Sequence, residues 1–197
     1  MLISGRGSNL QSIIDAIGEG RLDATIALVI SNRVDAAGLQ RARDAGVDTL
    51  CLMHTDYPDR DTYDRAVVEA LRAHGVDLVC LAGFMRIFGS QVLEAYPQRI
   101  LNVHPSLLPS FPGLHPQRQA LAYGVRVSGA TVHLVDAALD GGPIVAQAVV
   151  PVKDNDTEDT LAARILVEEH RLYPAAIRIV LDGGWRIDGR RFVQRDS

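Results

Sequence analysis

Along the first part of the chain, apolar runs alternate with amphipathic stretches. The runs cover residues 1–3, 25–30, 47–52 and 76–82. Between them, Leu10, Ile13, Ile14 and Ile17 recur at helical spacing, residues 36–45 read as a helix closed by Gly46, and residues 61–74 carry Tyr63, Ala66, Val67, Ala70 and Leu71 on one stripe before Gly75. Continuous apolar runs are strands covered on both faces. Strand–helix alternation at this length builds right-handed βαβ units and a parallel sheet. The second half departs from that rhythm. Residues 128–135 alternate like a strand, a short polar connection follows, and residues 144–150 form the next strand, which reads as an antiparallel hairpin. The expected fold is α/β: a Rossmann-like, mostly parallel twisted sheet flanked by helices, with an antiparallel addition in the C-terminal half. The 197 residues suit one domain. Thr157, followed by Glu158 and Asp159, reads as the N-cap of a late helix, which Pro174 is expected to kink or restart. Residues 185–193 read as a hairpin on an Asp-Gly turn.

Composition narrows the function. A formal net charge of −4 with 22% charged residues gives no electrostatic case for nucleic acid or membrane. No apolar run is long enough to span a bilayer, and no signal peptide is visible. Cys51 and Cys80 each sit in an apolar run without metal-site spacing, which suits a reducing, cytoplasmic setting. Met1 stands close to a glycine loop, so the first strand is short or begins outside this sequence.

Four stretches carry chemistry. Ser4-Gly5-Arg6-Gly7-Ser8-Asn9 links a strand to a helix N-terminus, where unpaired N–H groups and the helix dipole favour an anion. Leu10 replaces the third glycine of the dinucleotide fingerprint; the plain structural alternative is a tight turn with Ser8 as N-cap. Gly83-Phe84-Met85-Arg86-Ile87-Phe88-Gly89 is an apolar segment bounded by glycines, either a wall for a flat ligand or a loop folded onto the core. Asn102-Val103-His104-Pro105-Ser106-Leu107-Leu108-Pro109 places an amide and an imidazole two apart on a strand, hence on one side, before a stiff exit. A catalytic pair and a buried polar pair fit these residues equally. Asp140-Gly141-Gly142-Pro143 sets a carboxylate on a loop whose glycines allow unusual backbone angles; an ordinary Asp-Gly turn is the alternative. Glu168-Glu169-His170 reads as a solvated charge run, and His115 as a loop-capping or solvated side chain.

The Asn102–Pro109 stretch followed by Asp140–Pro143 resembles the folate-dependent formyltransferases. The loop from Leu2 to Leu10, the segments 81–87 and 96–101, and Glu168-Glu169-His170-Arg171-Leu172-Tyr173-Pro174 are similar to the branch that formylates glycinamide ribonucleotide. The resemblance runs from Met1 to about Leu181. It implies formyl transfer from 10-formyltetrahydrofolate, as co-substrate and without a metal, to the amine of 5-phosphoribosylglycinamide in purine biosynthesis. It implies that Asn102, His104 and Asp140 are catalytic and that Gly7, Ser8, Asn9 and Glu169 bind the ribonucleotide. It further implies that Arg60, Met85, Arg86, Ile87, Phe88, Asn102, Asp136, Ala137, Ala138, Leu139 and Asp140 hold the folate. On this reading residues 1–100 bind the nucleotide phosphate and residues 101–197 carry the catalytic centre and much of the folate site. A homodimer is left open. Formyl transfer to another amine, hydrolysis of the formylfolate, and a non-catalytic folate- or nucleotide-binding relative remain as alternatives.

Overall fold

The computed structural model describes residues 1–194. The chain separates into two compact units, Met1–Leu101 and Asn102–Ser197.

The first unit follows the βα alternation: β1 Leu2–Ile3, α1 Ser8–Gly18, β2 Val29–Ser31, α2 Ala37–Asp44, β3 Thr49–Cys51, a 3-10 turn His54–Asp56, α3 Arg60–Ala73, β4 Val79–Ala82 and α4 Ser90–Ala95. The strands run β3-β2-β1-β4 and every neighbouring pair is parallel. The chain builds outward from β1 to β3 and then returns to the other side of β1. Crevices for ligands form at such a switch point, beyond the carboxyl ends of the strands. The loops leaving β1 and β4 therefore meet there.

The strands are shorter than their apolar runs. Residues 25–28 and 47–48 lie outside β2 and β3. β1 pairs Leu2 with Ile30 and Ile3 with Ser31, and Met1 adds two bonds, its amino group donating to the Leu28 carbonyl at 2.8 Å and its carbonyl accepting from the Ile30 N–H at 2.9 Å. Residues 76–78 likewise precede β4, which pairs through Leu81 and Ala82.

Strand β5, Ile100–His104, carries the chain out of the first unit and delivers Asn102 and His104 to the second. The second unit continues with α5 Pro116–Tyr123, β6 Val127–Leu134, β7 Ile144–Pro151, α6 Glu158–Asp182, β8 Trp185–Asp188 and β9 Arg191–Gln194. β6 and β7 are the expected antiparallel pair, with a bulge between Val132 and His133. β8 and β9 form the expected tail hairpin. Its parallel contact with β7, Ile144 to Arg191, joins it to the sheet.

Helix α6 meets one expectation and narrows another. Thr157 caps it, accepting from the Thr160 N–H, while the Thr160 hydroxyl accepts from the Thr157 N–H. Pro174 does not restart it; the helix runs unbroken to Asp182 with the proline inside it. An interior proline costs about 3 kcal/mol. Burial of Leu161, Ile165, Tyr173, Ala176, Ile177 and Val180 offsets that, at roughly 1.5–3 kcal/mol for each large side chain. The core beneath α6 includes Ala120, Ala130, Val150, Leu161 and Ile165. Among the described residues no helix is long and apolar enough to cross a membrane.

Gly129 shows how tightly β6 and β7 are packed. A Cβ there would stand 2.0 Å from the Ala148 carbonyl oxygen and 2.8 Å from the Leu107 side chain. Gly18, at the end of α1, has open space. Gly129→Ala should lose roughly 1–3 kcal/mol or more of stability by overpacking, whereas Gly18→Ala should gain about 0.5–1 kcal/mol. Urea unfolding measures both, and equal midpoints contradict the packing.

Candidate active site

In the second unit, β5, β6 and the loop after β6 bring four polar side chains together. The His104 Nδ1 lies 3.5 Å from the Asp140 Oδ2. The Asn102 Nδ2 lies 3.2 Å from the His133 Nε2. The His133 Nε2 is 3.8 Å from the Asp140 Oδ1. The sequence-predicted trio of Asn102, His104 and Asp140 is thus one cluster, with His133 as its fourth member. His133 went unassigned in the sequence, although its place on the strand of residues 128–135 was legible.

Hydrogen bonding fixes the tautomer of His133. Its Nδ1 is 3.0 Å from the Leu134 carbonyl, which can only accept, so Nδ1 carries the proton. Nε2 then has a lone pair, and the Asn102 amide donates to it. That turns the amide nitrogen toward His133 and leaves the amide a second N–H. Burial pushes the His133 pKa below its ordinary value, and the nearby His104 acts in the same direction; the Leu134 carbonyl and the Asp140 carboxylate oppose it.

His104 is 5% exposed. Both its nitrogens face acceptors, since Nε2 is 2.9 Å from the Phe111 carbonyl. Asp140 in turn accepts from the Gly113 N–H at 2.8 Å. The segment 110–113 is therefore tied to both catalytic candidates. Ser106 reinforces it by donating to the Ser110 carbonyl at 2.5 Å.

The Asp140 loop corrects the reading of its glycines. Asp140 itself has the left-handed backbone, φ 48°, while Gly141 and Gly142 do not. The glycines serve close approach instead. A Cβ on Gly142 would stand 1.9 Å from the Leu134 carbonyl oxygen, and one on Gly141 2.6 Å from the Ala138 Cβ. Asp136, Ala137, Ala138 and Leu139 are exposed on the same loop, with Asp136 accepting from the Ala138 N–H at 2.9 Å.

Glu169 corrects a second reading. It is buried, 7% exposed, not solvated. The signal was helical spacing: Leu161, Ile165, Glu169 and Tyr173 share one stripe of α6. Glu168 is the surface member, paired with Arg171. His115 is exposed, with its Nδ1 3.8 Å from Glu158.

In the first unit, Gly7 is the N-cap of α1 at φ 70°, and no side chain caps the helix. Ser8 is the first helical residue, so the alternative with Ser8 as cap fails. A Cβ on Gly7 would meet the Gly38 Cα at 2.6 Å. The glycine thus has a packing role as well as an open helix end. Asn9 is buried. Met85 and Ile87 are exposed while Phe88 is buried, its ring 5.4 Å from that of Phe84. The segment thus folds Phe88 onto the core while turning Met85 and Ile87 outward. Arg60 opens α3, with Nε 3.9 Å from the Asp64 Oδ2, and Arg86 is half-buried. Among the described residues, no group of three or more His, Cys, Asp or Glu side chains is placed to hold a metal ion.

The His133 arrangement has a pH signature. Its folded pKa lies below the ordinary 6.5, so the unfolded chain binds this proton more tightly. This group costs nothing above that pH and lowers stability as pH falls below it. Nitrogen NMR of the imidazole should show Nδ1 protonated and Nε2 bare at pH 7. A protonated Nε2 at that pH would contradict the assigned geometry.

Comparison with known proteins places these residues in a family. The formyl transferase family matches residues 1–177. Phosphoribosylglycinamide formyltransferase of Escherichia coli (strain K12) is 46% identical over 190 residues, 96% of this chain and 87% of that protein. The crystal structure of glycinamide ribonucleotide transformylase 1 from Symbiobacterium toebii is 56% identical with a TM-score of 0.97, covering 99% of this chain and 92% of that one. A formyltetrahydrofolate deformylase structure from Pseudomonas syringae pv. tomato is 28% identical with a TM-score of 0.91, covering 99% of this chain and 64% of that one. The chain belongs to the formyl transferase family.

Proposed function

We propose that the protein transfers the formyl group of 10-formyltetrahydrofolate to the glycinamide amine of 5-phosphoribosylglycinamide. The products are formylglycinamide ribonucleotide and tetrahydrofolate, as a step of purine biosynthesis. The observation that carries this reading is the cluster of Asn102, His104 and Asp140 on a chain of this family. The free thiols Cys51 and Cys80 suit a cytoplasmic setting.

The uncapped N-terminus of α1, with Gly7, Ser8 and Asn9, takes the phosphate and ribose; backbone N–H groups and the helix dipole favour an anion there. Glu169 also contacts the ribonucleotide. The exposed Met85 and Ile87, with Arg86, Phe88, Arg60 and the loop 136–140, hold the folate. The first unit thus serves the phosphate, and the second carries the chemistry and much of the folate contact.

The amine attacks the formyl carbon, negative charge builds on the formyl oxygen, and N10 of the folate leaves as an amine. One proton must move from the attacking nitrogen to N10. The second N–H of Asn102 and the Nε2–H of His104 donate to the developing oxyanion. That Nε2 now faces the Phe111 carbonyl, so the substrate competes with the segment 110–113 for it. Asp140 orients His104 through Nδ1 and assists the proton transfer.

His104→Ala should lower kcat on the order of 10²–10³-fold, the usual cost of one oxyanion donor, with a smaller effect on KM. A near-normal kcat overturns the role. Offering glycinamide ribonucleotide and other amines, while following tetrahydrofolate release, tests the reaction itself. Release that needs no acceptor points to the hydrolase reading, which the fold similarity to the deformylase keeps in view.

A further inference from the structure

Segment 83–89 has almost no regular structure, yet it presents Met85 and Ile87 outward at 65% and 66% exposure. Such a segment needs something to hold it. Two side chains outside the proposed site do so. The Met85 N–H donates to the Ser4 hydroxyl at 2.9 Å, and that hydroxyl donates to the Asn32 Oδ1 at 2.6 Å. Ser4 and Asn32 are each 6% exposed. At the other end, the Gly89 N–H donates to the Asp64 Oδ2 at 2.7 Å, and Asp64 is 1% exposed.

Both anchors are built, not incidental. Ser4 leaves β1, Asn32 leaves β2, and Met85 leaves β4, so one hydroxyl joins three strand exits at the switch point. Asp64 lies on the buried face of α3, whose cap residue Asp59 accepts from Thr62. Gly89 fits the carboxylate closely, since a Cβ there would stand 2.9 Å from the Asp64 Oδ2. Arg60 flanks the same oxygen at 3.9 Å. Burying a carboxylate is unfavourable unless donors reach it. Burial pushes the Asp64 carboxyl up, with the Gly89 N–H, Arg60 and Arg86 opposing and Asp61 adding to the shift. A group kept at that cost beside a hydrogen-bonded loop end acts on the loop.

We propose that Ser4 and Asp64 are positioning residues for the folate wall, pinning residues 85 and 89 so that Met85 and Ile87 are held in a fixed geometry before the folate arrives. The inference rests on the reading that this segment takes the folate. Preorganisation of this kind strengthens binding by removing the cost of ordering the segment. It should act on folate affinity and leave the ribonucleotide and the chemical step alone.

The test compares Asp64→Ala, Asp64→Asn and Ser4→Ala with the wild type, after a thermal melt has shown each to be folded. Amide hydrogen exchange at Met85 and Gly89 is measured alongside calorimetric binding of 5-formyltetrahydrofolate, and steady-state kinetics follow. Asp64→Ala should speed exchange at Gly89 and Ser4→Ala at Met85. Each should weaken folate binding about tenfold, the worth of a hydrogen bond to a buried polar acceptor. The KM for 10-formyltetrahydrofolate should rise similarly, while the KM for glycinamide ribonucleotide and kcat at saturating folate hold. Asp64→Asn keeps an acceptor oxygen and should restore most of the affinity. Should Asp64→Ala fail to fold, Ser4→Ala decides the matter. Unchanged folate affinity in a folded variant overturns the proposal, as does an equal rise in both KM values. Wild type that binds the folate but formylates no ribonucleotide overturns the proposed reaction alone, because the anchors are still read by binding and exchange.

Discussion

The backbone carbonyl of Leu134 governs the geometry of the polar cluster in the second unit. It accepts the Nδ1–H of His133 at 3.0 Å, which leaves Nε2 as an acceptor and turns the Asn102 amide toward it. The same carbonyl is the surface against which Gly142 packs, so close that a Cβ would stand 1.9 Å away. The Leu134 N–H meanwhile donates to the Pro143 carbonyl at 2.8 Å. One residue therefore sets the tautomer of a histidine, the orientation of an amide, and the approach of the loop bearing Asp140. A wrong tautomer would set two donors against each other at Asn102 and Nε2. The precision of the cluster comes from a main-chain atom that has no rotamer to lose.

Such a cluster is unfavourable to bury unless its members satisfy one another. The network beneath it shows how far that goes. The Thr131 hydroxyl donates to the Ser106 carbonyl at 2.7 Å and accepts from the Leu108 N–H at 3.1 Å. The Gln147 amide donates to that hydroxyl at 3.0 Å and to the Leu108 carbonyl at 2.9 Å. The irregular exit after β5, which cannot pair its backbone in a ladder, is thereby paired by side chains from β6 and β7. Proline limits the conformations of that exit, and these bonds choose among the ones that remain.

Periodicity made the architecture legible, because it reports which face is buried without needing to know by what. It predicted the parallel alternation and the β6–β7 hairpin, while residue type predicted the Thr157 cap. Periodicity failed on strand length: residues 25–28 are apolar, yet β2 begins only at Val29. Pro174 did not divide α6 because local propensity is a weak force beside a buried helix face. Glu169 was misread through its neighbours in sequence, although its neighbours in space, four residues away in each direction, are Ile165 and Tyr173. Within the site, residue types left Asn102, His104 and Asp140 open between a reaction centre and ordinary buried or turn residues, and the resemblance to a known family singled them out. His133 was not legible as their partner, since its meaning depends on a carbonyl one residue later and an amide on another strand.

Under the proposed function, the two units would meet their tasks with different atoms, and the difference follows from what each task demands. In the first, the uncapped end of α1 and the loop pinned at Met85 and Gly89 present chiefly main-chain groups and exposed apolar side chains. Main-chain donors carry no titratable proton and hold an anion or the edge of a flat ring equally across pH. Moving a proton during acyl transfer cannot be done that way; it needs groups whose charge can change. Those groups are concentrated in the second unit, where His104 and Asp140 adjoin His133 in a desolvated setting. Burial strengthens each electrostatic contact there. It also makes any misplaced donor costly, which is why a backbone carbonyl, rather than another mobile side chain, fixes His133.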